Sequence, residues 1–286
     1  MRRRLLLTLA APAAWASPGE AAGPPLVYPR RDPGRAAFWT YLQAVLKLAI
    51  ERSGSHYELA ESRLPMTQAR VVRELADASG KLDLAWTMTS LEREAQMLPV
   101  RVPLDRGLIG WRIAFVRPGD VDRWRDLHGL ADLRRYVAGQ GRDWPDTDIL
   151  RANGLPVEGA SRFEVLFDML RLGRIDYFPR AVFEVDDEAA SPFARELAVE
   201  PHVLLRYPAA SYLFVRPDRP QLAVDLQRGM EAAVADGSLA RLFQQQFGDL
   251  FRRHRLQQRQ QLQLKNPLLP PATPLNKPSY WLVIDS

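Results

Sequence analysis

One stretch, residues 161–184, constrains the fold of this chain more than any other. Gly173 stands at its centre, where a residue in the left-handed conformation can end a helix. After the glycine, Ile175, Tyr177 and the residues up to Val182 predict a short buried strand. Before it, five apolar side chains recur at helical spacing: Phe163, Leu166, Phe167, Leu170 and Leu172. A helix that leads into a strand through one tight turn favours an α/β fold.

The same alternation of strand and helix runs through the rest of the chain. Amphipathic helices are predicted at residues 36–50 and 67–78, each after a short strand, and two more at 222–234 and 239–251. With 47% hydrophobic and 26% charged residues, the composition is typical of a soluble protein with a sizeable core. One large domain or two lobes would fit the 286 residues.

The amino terminus has the three-part layout of a secretory signal peptide. Basic residues at 2–4 precede an apolar core at 5–14 and a small-x-small cleavage site that ends at Ala16. We therefore expect removal of residues 1–16 and export. The alternative, an uncleaved membrane anchor, would need roughly 20 apolar residues. Because this segment is much shorter, no membrane insertion is expected after cleavage.

Charge and cysteine content exclude several classes of function. The formal charge is +5, with 39 basic residues interspersed among 34 acidic ones, and loss of the signal peptide would lower it to +2. Without a long basic run, a mixed solvated surface is favoured over nucleic-acid binding. The chain has no cysteine, so it can form neither disulfides nor a thiolate metal site.

The central stretch also resembles a known family. Its Leu-x-x-Gly-Arg-Ile-Asp run at residues 170–176, followed by an aromatic strand, resembles the second-lobe signature of bacterial periplasmic solute-binding proteins, in particular the polar amino acid family, family 3. The resemblance covers residues 25–250 and implies a type 2 periplasmic-binding α/β fold of two lobes, each a sheet flanked by helices. It implies that lobe 1 comprises residues 25–118 and 209–254 and that lobe 2 comprises residues 119–208. The chain would cross between the lobes near residues 117–122 and 207–211. The Gln/Pro-rich tail, residues 255–286, would pack on lobe 1.

In the first lobe, the resemblance implies a carboxylate-binding arginine. The strand at residues 82–89 leads into Ser90-Leu91-Glu92-Arg93, and Arg93 stands where the family's arginine forks onto the ligand carboxylate. Trp86, Thr87 and Met88 would line the pocket beside it. An ion pair of Arg93 with a carboxylate on its own helix face remains an alternative.

In the second lobe, two segments are candidates for the ligand site. A glycine-rich turn before a helix can hold an anion with its free N–H groups, and Gln140, Gly141 and Arg142 occupy such a turn, although chain reversal alone would also explain it. Tyr177 and Arg180 follow Gly173. The family's acidic residue that holds a ligand ammonium lies eight positions after that glycine, where this chain has Ala181; Arg180 could pair with an anion instead, or Glu184 could substitute if the register slips.

These features predict an exported, monomeric protein of the periplasm that captures a small polar or anionic solute between its lobes for ABC-type uptake, with a permease or a membrane sensor as partner. A sensing or partner-binding module of the same fold is the alternative, and a small-acid enzyme a lesser one. No catalytic residue, cofactor or metal is expected, since the four histidines are far apart and no nucleophile or nucleotide motif occurs. Ligand identity, the choice between transport and sensing, and the role of the tail do not follow from the sequence.

Overall fold

The computed structural model of the chain describes residues 24–30 and 36–282. The predicted signal peptide and its cleavage after Ala16 lie outside these residues. Within them, no helix combines the length and the apolar character that crossing a membrane requires.

Helices and strands alternate along the described chain, as the sequence predicts. The helices are α1 (Ala36–Ser53), α2 (Gln68–Ala76), α3 (Leu91–Gln96), α4 (Leu130–Leu133), α5 (Pro145–Ala152), α6 (Phe163–Arg171), α7 (Val182–Ala189), α8 (Pro220–Ala235), α9 (Ser238–Phe247) and α10 (Leu250–Arg253). The strands are β1 (Leu26–Tyr28), β2 (Leu59–Glu61), β3 (Leu84–Met88), β4 (Leu98–Val100), β5 (Trp111–Val116), β6 (Ala138–Gly141), β7 (Val157–Ala160), β8 (Phe178–Ala181), β9 (Ala198–Val199), β10 (Val203–Arg206), β11 (Ser211–Val215) and β12 (Gln260–Gln263).

The central stretch folds as the predicted helix, turn and strand, but the strand is shorter than predicted, because it covers only Phe178–Ala181 and Val182 begins α7. Helix α6 buries Leu166, Phe167 and Leu170 and ends just before Gly173, which adopts a φ of +69°. The chain then enters β8, all four residues of which are buried. A glycine is suited to this turn because a positive φ costs it nothing sterically.

The first lobe contains two groups of paired strands, in the orders β2-β1 and β3-β11-β4. β11 lies antiparallel between β3 and β4, and β1 is parallel to β2. The Asp83 N–H donates to the Val27 carbonyl at 2.7 Å, and the Val27 N–H donates to Asp83 Oδ2 at 2.8 Å, which joins the two groups of strands. β11 therefore returns the chain to the lobe in which it began.

The second lobe has its own sheet. β5 is antiparallel to both β8 and β10, and β6 runs parallel to β7. A parallel bridge between Ala138 and Tyr177 places β6 beside β8. The carboxyl ends of β6 and β8 therefore lie at one edge of this sheet, where α5 and α7 begin.

The position of β5 corrects the predicted boundary between the lobes. The sequence places the first crossing near residues 117–122, whereas Trp111–Val116 already pairs within the second sheet. The first crossing is therefore at residues 101–110, and residues 207–210 form the second, joined to it by the Tyr207 N–H, which donates to the Gly110 carbonyl at 3.1 Å. Every residue of β5 is buried, so its pattern does not distinguish between the two sheets.

The tail also differs from its prediction. It was expected on lobe 1, yet β12 pairs in parallel with β10 and so extends the sheet of the second lobe. Farther on, Tyr280 is buried in the first lobe's core, beside α8 and α9. The tail therefore contacts both lobes.

A buried carboxylate lies on the first crossing. Asp105 is fully buried; its Oδ1 accepts a hydrogen bond from the Gly107 N–H at 3.0 Å, and its Oδ2 has no partner among the described residues. Burial raises the pKa of this carboxyl to about 7, against the opposing effect of its hydrogen bonds. The folded protein therefore holds a proton on Asp105 over a pH range in which the unfolded chain has lost it.

Replacing Asp105 with asparagine is expected to remove part of the pH dependence of stability. Between pH 4 and pH 7 the folded state binds this proton more tightly than the unfolded chain, so the contribution of Asp105 to the free energy of unfolding falls as the pH rises. Each unit of pKa corresponds to about 1.4 kcal/mol, which limits the total to about 4 kcal/mol. An asparagine side chain does not titrate, so the variant should gain stability relative to wild type as the pH increases.

Urea unfolding at several pH values between 4 and 7 measures this difference. Asp122→Asn is the matched control, because Asp122 is an exposed carboxylate paired with Arg125. Parallel stability curves for wild type and the Asp105 variant would contradict the prediction.

Candidate ligand-binding site

Arg93 lies at the carboxyl end of β3, in the first turn of α3. The side chain of Ser90 caps this helix and accepts a hydrogen bond from the Arg93 N–H at 3.2 Å. The Arg93 guanidinium turns back toward the strand, and its Nη1 donates to Thr87 Oγ1 and to the Met88 carbonyl, each at 2.7 Å. The end of β3 and the start of α3 therefore both hold Arg93 in place.

The charge of Arg93 is buried without a direct counterion. The residue is only 8% exposed, and among the described residues its guanidinium forms no ion pair. Burial lowers its pKa to about 10, which Asp146 and Glu92 oppose from a distance. Since a buried cation is costly unless it is paired, an anion that reached this position would be strongly favoured.

The other three first-lobe candidates, Trp86, Thr87 and Met88, differ in their surroundings. Thr87 is buried and accepts from Gln68 Nε2 at 3.2 Å as well as from Arg93. Trp86 is partly buried, with its ring edge-on to Trp39 at 4.6 Å and tilted toward Tyr28 at 6.1 Å. The structure therefore brings Thr87 and Met88 to Arg93, whereas Trp86 packs against β1 and α1.

The turn after β6 is only partly oriented toward the site. Gln140 is buried, with its Nε2 donating to the Pro179 carbonyl at 3.2 Å and its Oε1 without a partner among the described residues. Gly141 leaves room for an aromatic ring, because a Cβ there would come within 2.4 Å of Trp144. Arg142 is exposed. Of the three predicted residues, Gln140 thus provides a buried amide, Gly141 makes room for the Trp144 ring, and Arg142 is a cation on the surface.

Arg180 is held by carboxylates of the protein itself. It is 2% exposed; its Nε and Nη2 donate to Glu188 at 2.8 and 2.6 Å, and its Nη2 lies 2.9 Å from Glu184 Oε2. Its guanidinium carbon stands 4.7 Å from the centre of the Trp144 ring. Burial opposes its charge, but the two carboxylates outweigh that effect and raise the pKa of Arg180. The predicted anion partner of Arg180 is therefore already present on α7.

A second buried arginine extends this cluster, and sequence reasoning did not identify it. Arg112 Nη2 lies 2.6 Å from Asp146 Oδ1, and its Nη1 lies 3.5 Å from Glu184 Oε2. The Tyr207 hydroxyl donates to Asp146 as well. The sequence could have identified Arg112, because a charged residue within an apolar strand such as β5 needs a buried partner.

Tyr177 lies away from the other candidates. It is fully buried, with its ring edge-on to Trp124 at 5.1 Å, inside the second lobe's core. It precedes β8, whereas Arg180 lies near that strand's other end, about 10 Å farther at the rise of an extended strand. The structure therefore does not bring Tyr177 to the site.

The two lobes are in contact beside this cluster. Phe38, on α1 of the first lobe, stacks on Phe183, on α7 of the second, with ring centroids 4.4 Å apart. Phe183 also lies 5.6 Å from Phe247 of α9. These aromatic contacts join α7 of the second lobe to α1 and α9 of the first.

Comparison with known proteins supports the fold. No protein-family model and no curated protein matches the chain. Several solved structures, however, are similar to the chain. An ancestral arginine-binding protein bound to arginine has a TM-score of 0.53 at 17% identity, covering 73% of this chain and 88% of the other. The GluR0 ligand-binding core from Nostoc punctiforme in complex with L-glutamate has 0.53 at 16%, covering 78% and 99%. The VFT2 domain of Bordetella pertussis BvgS, a double mutant, has 0.53 at 19%, covering 72% and 83%.

Identities this low establish the fold alone. The chain has the two-lobed, type 2 periplasmic-binding α/β fold, and the sequence-based prediction of that fold is confirmed. In such a fold a ligand binds between the lobes, near the carboxyl ends of the strands. Arg93 lies at that level of the first lobe.

Proposed function

We propose that the protein is a solute-binding protein that holds a small anionic solute between its two lobes. The observation that carries the proposal is the Arg93 guanidinium, which is buried at the end of β3 without an ion pair among the described residues. Similar folds that bind arginine and glutamate support it. In this function the protein binds and releases its ligand without changing it.

The orientation of Arg93 suits a carboxylate. Its Nη1 is held by Thr87 and Met88, while Nε and Nη2 have no acceptor among the described residues. This edge of a guanidinium offers two parallel N–H donors, which match the two oxygens of a carboxylate. Thr87 and Met88 therefore act by aiming the guanidinium.

The second lobe favours a ligand without an amino group. Ala181 occupies the position where the resembled family has the acidic residue that holds a ligand ammonium, and it cannot pair with a cation. The neighbouring Arg180 is bound to Glu184 and Glu188. We infer that simple carboxylic acids, including aromatic ones, bind better than α-amino acids.

The cellular role follows from the same proposal. Removal of residues 1–16 would place the protein in the periplasm, where it would deliver its ligand to an ABC permease or present it to a membrane sensor. Neighbouring genes for a permease and an ATPase would favour transport, and those for a kinase or a cyclase would favour sensing.

A thermal-shift screen tests the proposal. We expect carboxylic acids to raise the melting temperature of the protein more than their α-amino counterparts do, since a ligand that binds only the folded state stabilises it. Replacing Arg93 with methionine should weaken binding of the best acid by about 10- to 100-fold, because a hydrogen bond to a charged group contributes about 1.5–3 kcal/mol.

Arg70→Met is the matched control, since Arg70 is exposed on α2 and its ion-pair partner among the described residues is Glu74, at 3.3 Å. Its affinity for the acid should equal that of wild type. If no acid raises the melting temperature, or if the Arg93 variant binds as tightly as wild type, the proposal is wrong.

A further inference from the structure

The carboxyl-terminal part of the chain begins as a strand of the second lobe. Residues Gln260–Gln263 pair in parallel with Val203–Arg206 at four successive positions. Just before them, Arg259 Nη1 donates to the Glu200 carbonyl at 2.7 Å and lies 3.1 Å from Glu200 Oε1, with both side chains almost fully buried. This buried pair anchors the start of the segment.

A second attachment to the same lobe follows immediately. Asn153, at the end of α5, donates from its Nδ2 to the Lys265 carbonyl at 2.8 Å, and its Oδ1 accepts from the Lys265 N–H at 2.9 Å. One side-chain amide therefore satisfies both backbone groups of Lys265, as a neighbouring strand would.

Three residues later the chain is bound to the first lobe. The Leu268 carbonyl accepts a hydrogen bond from the Leu91 N–H at 3.0 Å, in the first turn of α3. Helix α3 carries Arg93. The segment thus caps the helix that positions the proposed anion-binding side chain.

The end of the described segment is fastened to the first crossing. The Leu282 N–H donates to the Arg106 carbonyl at 2.9 Å, and Arg106 Nη2 donates to the Trp281 carbonyl at 3.1 Å. The Trp281 ring packs so closely on Gly107 that a Cβ there would come within 2.7 Å of it. Trp281 and Leu282 are thereby held against one of the two hinge connections.

Only two residues separate the attachments to the two lobes. Asn266 and Pro267 lie between Lys265 and Leu268, and Asn266 Nδ2 donates to the Pro208 carbonyl, on the second crossing, at 2.8 Å. Three steps between consecutive Cα atoms span at most about 11 Å. Proline further restricts the link by fixing its own φ. The link therefore limits how far the two attachments can separate, to about 11 Å.

We propose that residues 259–282, the C-terminal strap, form a third connection between the lobes that restricts opening of the hinge. Opening that separates the two attachments beyond the reach of this link must break the bonds at Leu268 or at Lys265. The strap therefore favours the arrangement of the lobes in which its bonds are made, whether or not a ligand is bound. Its effect is mechanical and is independent of what Arg93 binds.

Lengthening the link tests this inference. Eight Gly/Ser residues inserted between Asn266 and Pro267 would leave both sets of attachments in place, and such a flexible insertion has a root-mean-square span of about 15 Å. The chain has no cysteine, so Arg73→Cys on α2 and Asp148→Cys on α5 provide two unique sites for spin labels, both exposed. Double electron–electron resonance then measures the distance distribution between the lobes.

We expect a narrow distribution for the labelled wild-type sequence and a broader one, extending to longer distances, for the insertion variant. The same insertion after Gly54, an exposed turn that follows α1, is the control and should leave the distribution narrow. If the insertion variant keeps the wild-type distribution, the strap does not restrict the hinge.

A second variant tests the same inference in case the insertion variant does not fold. Asn153→Ala combined with Asn266→Ala keeps the length of the strap but removes the three side-chain hydrogen bonds that hold its link. A smaller broadening in the same direction is expected, and an unchanged distribution would contradict the proposal. Both measurements are made without ligand, so a failed ligand screen leaves their interpretation intact.

Discussion

Replacing Arg180 with methionine is expected to lower the free energy of unfolding by about 3–5 kcal/mol, the usual cost of removing one partner from a buried ion pair. The Arg180 guanidinium makes short contacts with Glu184 and Glu188 and faces the Trp144 ring. Methionine is similar in length, so the change removes the charge and its hydrogen bonds more than it removes volume. Urea unfolding followed by far-UV circular dichroism measures the loss.

One further variant separates charge from geometry at position 180, and a second, at Arg125, is the control. Arg180→Lys keeps the charge but loses the planar fork and its stacking on Trp144, so an intermediate loss is expected. Arg125→Met removes an exposed arginine that lies 3.1 Å from Asp122, and a pair of this kind contributes about 0–1 kcal/mol. A loss below about 1 kcal/mol for Arg180→Met would mean that the pair does not stabilise the fold.

Replacing Gly229 with alanine is expected to destabilise the first lobe by about 3 kcal/mol, at the upper end of the usual cost of overpacking. Gly229 lies in α8 where it crosses α1, and a Cβ there would come within 1.8 Å of the Ala49 carbonyl oxygen. The backbone of α1 would have to move, because the clash is with a main-chain atom and not with a flexible side chain.

The sign of this effect distinguishes packing from helix propensity. Alanine is favoured over glycine in a helix interior by about 1 kcal/mol, so an effect of propensity alone would stabilise the protein. Gly119→Ala is the control, since no heavy atom lies within 4 Å of a Cβ at that position. A melting temperature for the Gly229 variant equal to or above that of wild type would show that α1 can move aside at little cost.

Local features of the sequence were sufficient to predict the alternation of helices and strands, whereas the two-lobed form of the fold was implied by the resemblance to a known family. The helical spacing before Gly173 and the apolar run after it correspond to α6 and β8 in the structure. Each depends on side chains a few residues apart and on a turn that glycine adopts easily. A regular alternation of such units limits the chain to few arrangements.

The partner of a strand could not be predicted in the same way. Strand β5 is buried on both faces, so its residues carry no alternation that identifies a sheet. Its pairing with β8 is decided by chain segments more than 60 residues away. The same holds for β12, whose glutamines gave no sign of pairing with β10. The predicted boundary therefore differs from the observed one, and the predicted location of the tail on lobe 1 is incomplete, because the tail contacts both lobes.

At the site, the type of residue was easier to predict than whether that residue is available to bind a ligand. Arg93 and Arg180 were both candidates for binding an anion, and the sequence offered no means to tell them apart. In the folded protein Glu188, on the helix that follows β8, binds Arg180, whereas Arg93 is buried and has no such contact among the described residues. Whether a guanidinium can accept a ligand depends on which carboxylates the fold brings near it.

The sequence by itself therefore determined the elements of this protein and their alternation, because periodicity and glycine turns act over a few residues. Only the tertiary structure decided which strands pair, which arginine is already neutralised and where the C-terminal strap lies. These properties arise from contacts between distant parts of the chain. In a buried environment such contacts also control the cost of each charge.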